Sequence, residues 1–480
     1  MVSVPQSEIE NNVEVQHLVK QFRRTVESLV GDQATFAERE VVALAVANEA
    51  TRQVLQHDLQ TIADELGDEV RVDGVLYREH ERGEVDYHSL CGDLRVPRST
   101  YRRVGERNGP TVVPLELSAG LIERATPALA HNVAQGYAKH DMRSHGEDLR
   151  AAARVPPSRT TLETMAKRMA MAVAAQTSRI EPVVRRGERL PGEATGIVVG
   201  LDRIATPMEE ERPEGAPPKT RRKQRGTPYV RTPPAPVDVN FRMAYVGTFA
   251  VVNEFGEAIL TRRYSASPAH GADDLVERLM ADVRWALSQQ STLNVGVMQD
   301  GAPELWNLLR PALAAEPMVT TWEEGIDVFH LYEHLSEALK CVERRPNMRA
   351  AILDEWKMDL ERRDSAIDVV ENYLVKRYNL APASKAADLW EELVYIRNNK
   401  DRMRYVTLRV AGLPVGSGVT EGAAKSVVGK RAKGCGRRWH DDNLNAVLYL
   451  RATYCSDRLP RFWTHFSRRY IARVEAAVAM

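Results

Sequence analysis

"TGIVVGLDRIATPM" (195–208) decides how this chain is read. Its apolar run, Ile197 to Leu201, is short, β-prone and ends on a carboxylate, Asp202. Downstream, "FRMAYVGTFAVVNEFGEAILTRRYSAS" (241–267) reads as two strands joined at an Asn-Glu-Phe-Gly turn. "ADDLVERLMADVRWALSQQ" (272–290) has the apolar spacing of an amphipathic helix. "NVGVMQDGA" (294–302) is a strand ending at Asp300, "PELWNLLRPAL" (303–313) a helix with proline in its first turn, and "GIDVFH" (325–330) another short strand. Three strands, then helix, strand, helix, strand, is the order of a mixed sheet in an α/β domain. Polar groups from distant segments converge at strand ends of such sheets. Asp202 and Asp300 both end apolar runs.

The rest of the chain surrounds this block. With 480 residues, two to four structural units are expected. Residues 1–69 read as helices, with Val15, Leu18, Phe22 and Val26 at helical spacing. Residues 70–105 alternate β-prone runs with Asp-Gly, Arg-Gly and Cys-Gly turns, which predicts a small antiparallel sheet inside a region 70–190. Within it, "HGEDLRAAARVPPSRTTLETMAKRMA" (145–170) predicts two helices about a proline break, compatible with a helix-turn-helix or a plain helical hairpin. Thr160 and Glu163 have capping-box spacing at the second start. A proline-rich stretch follows Pro207 and reads as a loop or insert. Residues 331–410 are helical, with Leu353, Trp356, Leu360, Ile367, Val370 and Leu374 at heptad-like spacing. Helices resume after 411, and 466–480 reads as a tail.

Composition excludes several classes. No run of about 18 apolar residues predicts a membrane span, and the first residues carry no secretory signal pattern. Cys91, Cys341, Cys435 and Cys455 are far apart, which argues against a disulfide framework and for a reducing cytoplasm. Basic and acidic residues balance at 66 each, so only local charge can speak for nucleic acid. "KTRRKQR" (219–225) is one such stretch. The other lies in "GLPVGSGVTEGAAKSVVGKRAKGCGRRW" (412–439), with Lys425, Lys430, Arg431, Lys433, Arg437 and Arg438.

That second stretch admits more than one chemistry. A nucleotide-binding loop needs lysine directly after its last glycine, but Lys425 stands three residues beyond Gly422. "HLYEH" (330–334) matches an inverted zinc-peptidase motif, with His330 and His334 as ligands and Glu333 as base, although nothing marks a third ligand. The third option is a carboxylate triad for phosphodiester chemistry. Magnesium takes oxygen ligands from a few carboxylates plus substrate phosphates. Two such ions stabilise the attacking and leaving oxygens of an in-line displacement. Asp202, Asp300 and Glu421 suit it, and the basic run after Glu421 would meet the DNA backbone.

The ordered set "VGLDR…PM", "RMAYVGTF", "QDGAPELWNLL", "DVFHLYEHL", "LPVGSGVTEGAAKSVVGKRAKGCGRRW", "NLNAVLYLRA" and "RFW" resembles the Kra-type bacterial insertion-sequence transposases, relatives of the Mutator-like group. The resemblance spans roughly residues 70–465 and is densest over 295–463. It implies a ribonuclease-H-like mixed-sheet catalytic domain formed by 191–330 and 411–465. Residues 331–410 become a helical insertion and 70–190 a DNA-end-binding region. It implies a catalytic Asp202, Asp300 and Glu421 holding two Mg²⁺ ions, for which Mn²⁺ substitutes. The family's Asp/Cys-x-x-His motif falls on Asp327 and His330. His330 then orients the scissile strand or a water, with Asp327 behind it. Arg203 stands where many relatives have glycine, and Cys91 lacks the cysteine partner some relatives carry. The implied activity is cutting transposon ends and joining the 3′-hydroxyl to target DNA. Implied partners are terminal inverted repeats, target DNA and a second copy of the chain or more, in the cytoplasm at the nucleoid and away from membranes. A domesticated, non-catalytic DNA-binding descendant is the alternative. Trp439 reads either as core or as a base-stacking platform.

Overall fold

A computed structural model describes residues 6–477 except 11, 32, 214–236, 381 and 435. The basic stretch 219–225, most of the proline-rich segment and Cys435 therefore lie outside the described residues. The chain forms two compact units, Met1–Val173 with Pro460–Met480, and Ala174–Leu459. This division cuts across the five segments expected from sequence. The end of the chain is not a free tail, because Val474–Ala476 pairs with the strand Glu69–Val72.

The first unit opens on helices Val13–Val30 and Phe36–Glu65. Asn12 caps the first, accepting bonds from the Glu14 and Val15 amides. Thr35 and Glu38 close a reciprocal capping box on the second. Strands β1 (Glu69–Val72), β2 (Val75–Ser89), β3 (Gly92–Arg103) and β4 (Thr111–Val112) follow in antiparallel order, with the C-terminal strand on the outer edge of β1. Tyr87, Leu94 and Val96 pack there against Leu59 and Leu115. The two helices around the proline break are Met142–Ala151 and Arg159–Ala174. The expected capping box at Thr160 does not form. The Ser158 hydroxyl accepts the Thr161 amide instead, and Glu163 pairs with Arg159 at 2.8 Å. The helix starts at Arg159, two residues earlier than a Thr160 cap allows, and this moves Glu163 out of the capping position.

The second unit is mixed α/β. Its sheet runs β7 (Ala258–Ala266), β6 (Val237–Val252), β5 (Gly196–Glu211), β8 (Asn294–Gln299), β9 (Glu323–Ile326). β5, β6 and β7 are antiparallel neighbours, while β8 and β9 are parallel to β5. β5 is longer than its apolar run and continues past Asp202 to Glu211, paired with β6 throughout. Asp202 therefore lies mid-strand rather than at a strand end. The expected strand over 325–330 stops at Ile326, because Asp327 caps a helix, Val328–Val342.

Helices Asp273–Gln289 and Pro303–Ala314 bury Leu275, Leu279, Val283, Leu305 and Leu309 against this sheet. The helices from 328 to 410 do not form a separate core. Leu335, Leu360, Leu374 and Leu393 belong to the same apolar cluster as Ile197 and Val297. Helix Asp441–Cys455 is buried on nearly every side.

Candidate active site

The site begins where two parallel strands part. β5 and β8 pair from Gly196/Asn294 to Val199/Val297 and no further. Asp202 lies three residues beyond that point on β5, and Asp300 directly follows β8. The turn after Asp300 is held in place: its carboxylate accepts the Ala302 amide at 3.1 Å, and Gly301 adopts φ +99°. A side chain at Gly301 would also meet the Tyr395 ring, 3.1 Å from the Cβ position.

Glu421 arrives from the other direction, on the short helix Gly418–Ala423. That helix lies directly on β5, because Gly200 has no side chain. A Cβ there would stand 2.3 Å from the Thr420 hydroxyl and 2.8 Å from the Met298 carbonyl. The Thr420 and Thr248 hydroxyls bond each other at 2.7 Å in the interior. Glu421 is thus held beside the strand that carries Asp202. Its carboxylate contacts Lys425 at 3.1 Å, whose side chain is 76% exposed. Residues Ala424–Gly429 then form a π-helical segment, a wider turn often found at functional sites.

Asp327 joins these parts. One carboxylate oxygen accepts the Phe329 and His330 amides at 2.7 and 3.1 Å. The other accepts the amide and hydroxyl of Ser417, the hydroxyl at 2.6 Å. Burial pushes the Asp327 pKa up, but the Ser417, His330 and Phe329 donors outweigh it and hold the group below its ordinary range. Val328 also donates to the Val415 carbonyl at 3.0 Å. This fixes the glycine loop, and so Glu421, to the start of the His330 helix. Ligand atoms of Asp327, His330 and Glu421 lie within 4.8 Å of one another.

Asp202 senses Asp300, Glu421 and His330. Its pKa is raised, first by burial and then by the Asp300 and Glu421 carboxylates, while the Arg203 amide and His330 oppose the rise. Among the described residues, the ligand atoms of Asp327, His330 and Glu421 form one group that Asp202 and Asp300 do not join, and the charges of Asp300, Glu421 and His330 act on Asp202. Asp327 has its oxygens filled by protein donors, which makes it a positioning residue and not a free ligand. The remaining donors are carboxylate oxygens and one imidazole. Hard oxygen ligands of this kind fit Mg²⁺ or Mn²⁺.

The zinc arrangement does not form. His334 turns away from His330, pairing with Glu392 at 2.6 Å and stacking on Tyr395 at 3.6 Å. Among the described residues, no metal-ligating cluster contains both histidines.

The six basic residues separate into two groups. Lys425, Lys430, Lys433 and Arg438 are exposed, and Arg438 pairs with Glu209 at 3.0 Å. Arg431 is 3% exposed and lies over the Trp439 ring, so it offers no charge to a phosphate. Arg437 donates to the carbonyls of Lys430 and Arg431, closing the helix end. Trp439 is structural as well: its backbone bridges Pro207 and Glu209, and its indole donates to Ala432. Alternating charge along the sequence does not show which side chains a short helix turns inward.

Two contacts escaped the sequence reading. The Tyr395 hydroxyl donates to the Asp300 carbonyl at 3.1 Å, so the helical segment reaches the second aspartate. Arg203 pairs with Glu304 on the helix after Asp300, linking the two aspartate segments. Compared with known proteins, the sequence matches no family model, and no curated protein matches it.

Proposed function

We propose that this chain is a DNA transposase of the Kra-type insertion-sequence group, acting on DNA phosphodiesters through Asp202, Asp300 and Glu421. The reading is supported by Asp300 at the end of β8 and Glu421 on a distant helix, whose carboxylates both act on Asp202 of β5, and by the helix Gly418–Ala423 lying against β5 at Gly200. Burial raises the pKa of Asp202 most, and repulsion from the Asp300 and Glu421 carboxylates adds to it. A fold does not assemble such repulsion for stability; a cationic ligand relieves it. The strand order β7-β6-β5-β8-β9, antiparallel on one side of β5 and parallel on the other, supports a ribonuclease-H-like sheet.

Asp202, Asp300 and Glu421 would hold Mg²⁺, with Mn²⁺ as a substitute. Bound there, the metal supplies Lewis acidity to the attacking and leaving oxygens. His330 stands beside Glu421 and orients the scissile strand or the attacking water. Asp327 keeps the glycine loop and the His330 helix in register. Lys425 exchanges its Glu421 contact for a backbone phosphate, and Lys430, Lys433 and Arg438 extend that contact along the strand. Gly418 and Gly422 have open space around them, which lets a DNA backbone come close. The unit spanning residues 1–173 is assigned recognition of the element ends.

The test is nicking of a supercoiled plasmid carrying the gene with its native flanking DNA. Magnesium-dependent nicking is expected for the wild type and none for Asp300→Ala. Equal nicking by both would overturn the site assignment. No nicking by either would overturn the catalytic reading in favour of a DNA-binding descendant.

A further inference from the structure

We infer that His334 is a positioning residue for the candidate active site. Its imidazole, stacked on Tyr395, holds the ring that packs on the turn after β8, and so sets where the Asp300 carboxylate stands. This rests on the reading of Asp202, Asp300 and Glu421 as cation ligands, and it gives a role to a histidine outside that set.

In "HLYEH" (330–334) the two histidines lie four residues apart on the helix Val328–Val342, one turn from each other and on one face. The first turn puts His330 within 4.8 Å of Glu421 and Asp327. The next turn puts His334 on Tyr395 of the helix Ala383–Asn399, with ring centroids 3.6 Å apart and planes 18° from parallel. Glu392, three residues before Tyr395, accepts a hydrogen bond from His334 Nδ1 at 2.6 Å and fixes the rotation of the imidazole. Leu335, Leu339, Leu389 and Leu393 of the same two helices are buried in one apolar cluster, which keeps the stack in register.

Tyr395 passes this constraint to Asp300 through two kinds of contact. Its hydroxyl donates to the Asp300 carbonyl at 3.1 Å. Burial, and then the Asp300, Asp327 and Glu392 carboxylates, push the Tyr395 pKa up, so the hydroxyl keeps the proton it donates. Its ring edge lies on Gly301, where a Cβ would stand 3.1 Å from Cε2. Asn399 closes the other side: it is 4% exposed, donates to the Tyr395 carbonyl at 2.9 Å and stands 3.4 Å from the same Cβ position. Gly301 holds φ +99°, a conformation that persists where the surroundings enforce it. The parallel pairing of β5 with β8 has already ended at Val199/Val297, so sheet hydrogen bonds between these strands do not fix the two aspartates relative to each other. The turn and the aromatic stack behind it do.

The experiment is Mn²⁺ binding by the full chain, followed by electron paramagnetic resonance, with urea unfolding of the same samples. His334→Ala removes the stacked ring and is expected to weaken Mn²⁺ affinity about fivefold, less than the loss typical of a group bonded directly to a metal ligand. His334→Phe keeps a ring on Tyr395 and should bind within about twofold of wild type, although it gives up the Glu392 hydrogen bond and unfolds at lower urea. His334→Leu has similar bulk without a flat face, serves where alanine prevents folding, and should weaken binding as alanine does. Because His334 acts through Tyr395, adding His334→Ala to Tyr395→Phe should cost less than about twofold beyond Tyr395→Phe alone. A His334→Ala or His334→Leu protein that binds Mn²⁺ as tightly as wild type would overturn the proposal and leave the carboxylate site standing. So would a phenylalanine variant as weak as the leucine one, or losses that multiply in full in the double variant. Wild-type protein that binds no Mn²⁺ would overturn the carboxylate site itself, and this role of His334 with it.

Discussion

Two aspartates in the second unit, Asp282 on the helix Asp273–Gln289 and Asp202 on β5, are treated in opposite ways. Asp282 is fully buried, and its oxygens accept bonds from Arg185 at 2.6 Å, Arg262 at 2.8 Å and the Tyr264 hydroxyl, with Arg458 at 3.4 Å. Burial alone would raise its pKa, but the three arginines overcome this and drive it far below the ordinary carboxylate range. Asp202 is half-buried on β5, and its pKa is raised first by burial and then by the Asp300 and Glu421 carboxylates. The fold is able to neutralise an interior carboxylate completely where the charge ties elements together. At Asp202 it withholds the counter-charge. On the proposed reading, that difference separates an architectural ion network from a cation site.

Removing charge should therefore have opposite consequences in the two places. Asp282→Asn leaves three arginines without their common partner and should cost about 3–5 kcal/mol in urea unfolding. A loss below about 1 kcal/mol would mean the network is ornamental and the comparison fails. Asp327→Ala removes a helix cap and the Ser417 latch together, and should cost about 1–3 kcal/mol. Its folded pKa lies below the unfolded value near 3.9. Its contribution is therefore present above about pH 4 and is lost as acid titrates the folded carboxylate, so wild type and variant should converge in stability there. Convergence near neutrality would contradict that assignment. Tyr395→Phe deletes one hydroxyl bond to the Asp300 carbonyl and should cost about 1 kcal/mol. It should also weaken Mn²⁺ binding several-fold, an effect that a purely structural tyrosine would not show.

The smallest effect has the reverse sign. A carboxylate with raised pKa holds its proton more tightly folded than unfolded, so ionising it costs stability as pH rises. Asp202→Asn should raise the thermal midpoint of the chelator-treated protein at neutral pH by about 1–3 °C. A fall of similar size would show that Asp202 is a paired structural charge like Asp282.

Much of the sheet was readable because its signals are local. Apolar runs bounded by turns gave β5 to β8, and both aspartates stand out as charges closing such runs. Strand length was not readable: β5 continues past Asp202 on polar residues that only the partner strand β6 stabilises. The end of β9 was misread because Asp327 looks the same whether it closes a strand or caps a helix. Two of its four hydrogen bonds come from Ser417, 90 positions away. Glu421 was legible from its glycine setting, but what places it was not. Gly200 and the Thr248–Thr420 bond become visible only once helix 418–423 lies on β5. The basic run was half legible, since composition shows charge but not that Arg431 turns inward onto Trp439.

The central claim is that Asp202, Asp300 and Glu421 form a divalent-cation site. Mn²⁺ binding followed by electron paramagnetic resonance tests it without any DNA substrate. The account predicts saturable binding by the wild type, competed by Mg²⁺, and a loss of at least tenfold in affinity for both Asp300→Asn and Glu421→Gln. Wild-type protein that leaves all Mn²⁺ free, or variants that bind it as tightly as wild type, would contradict it.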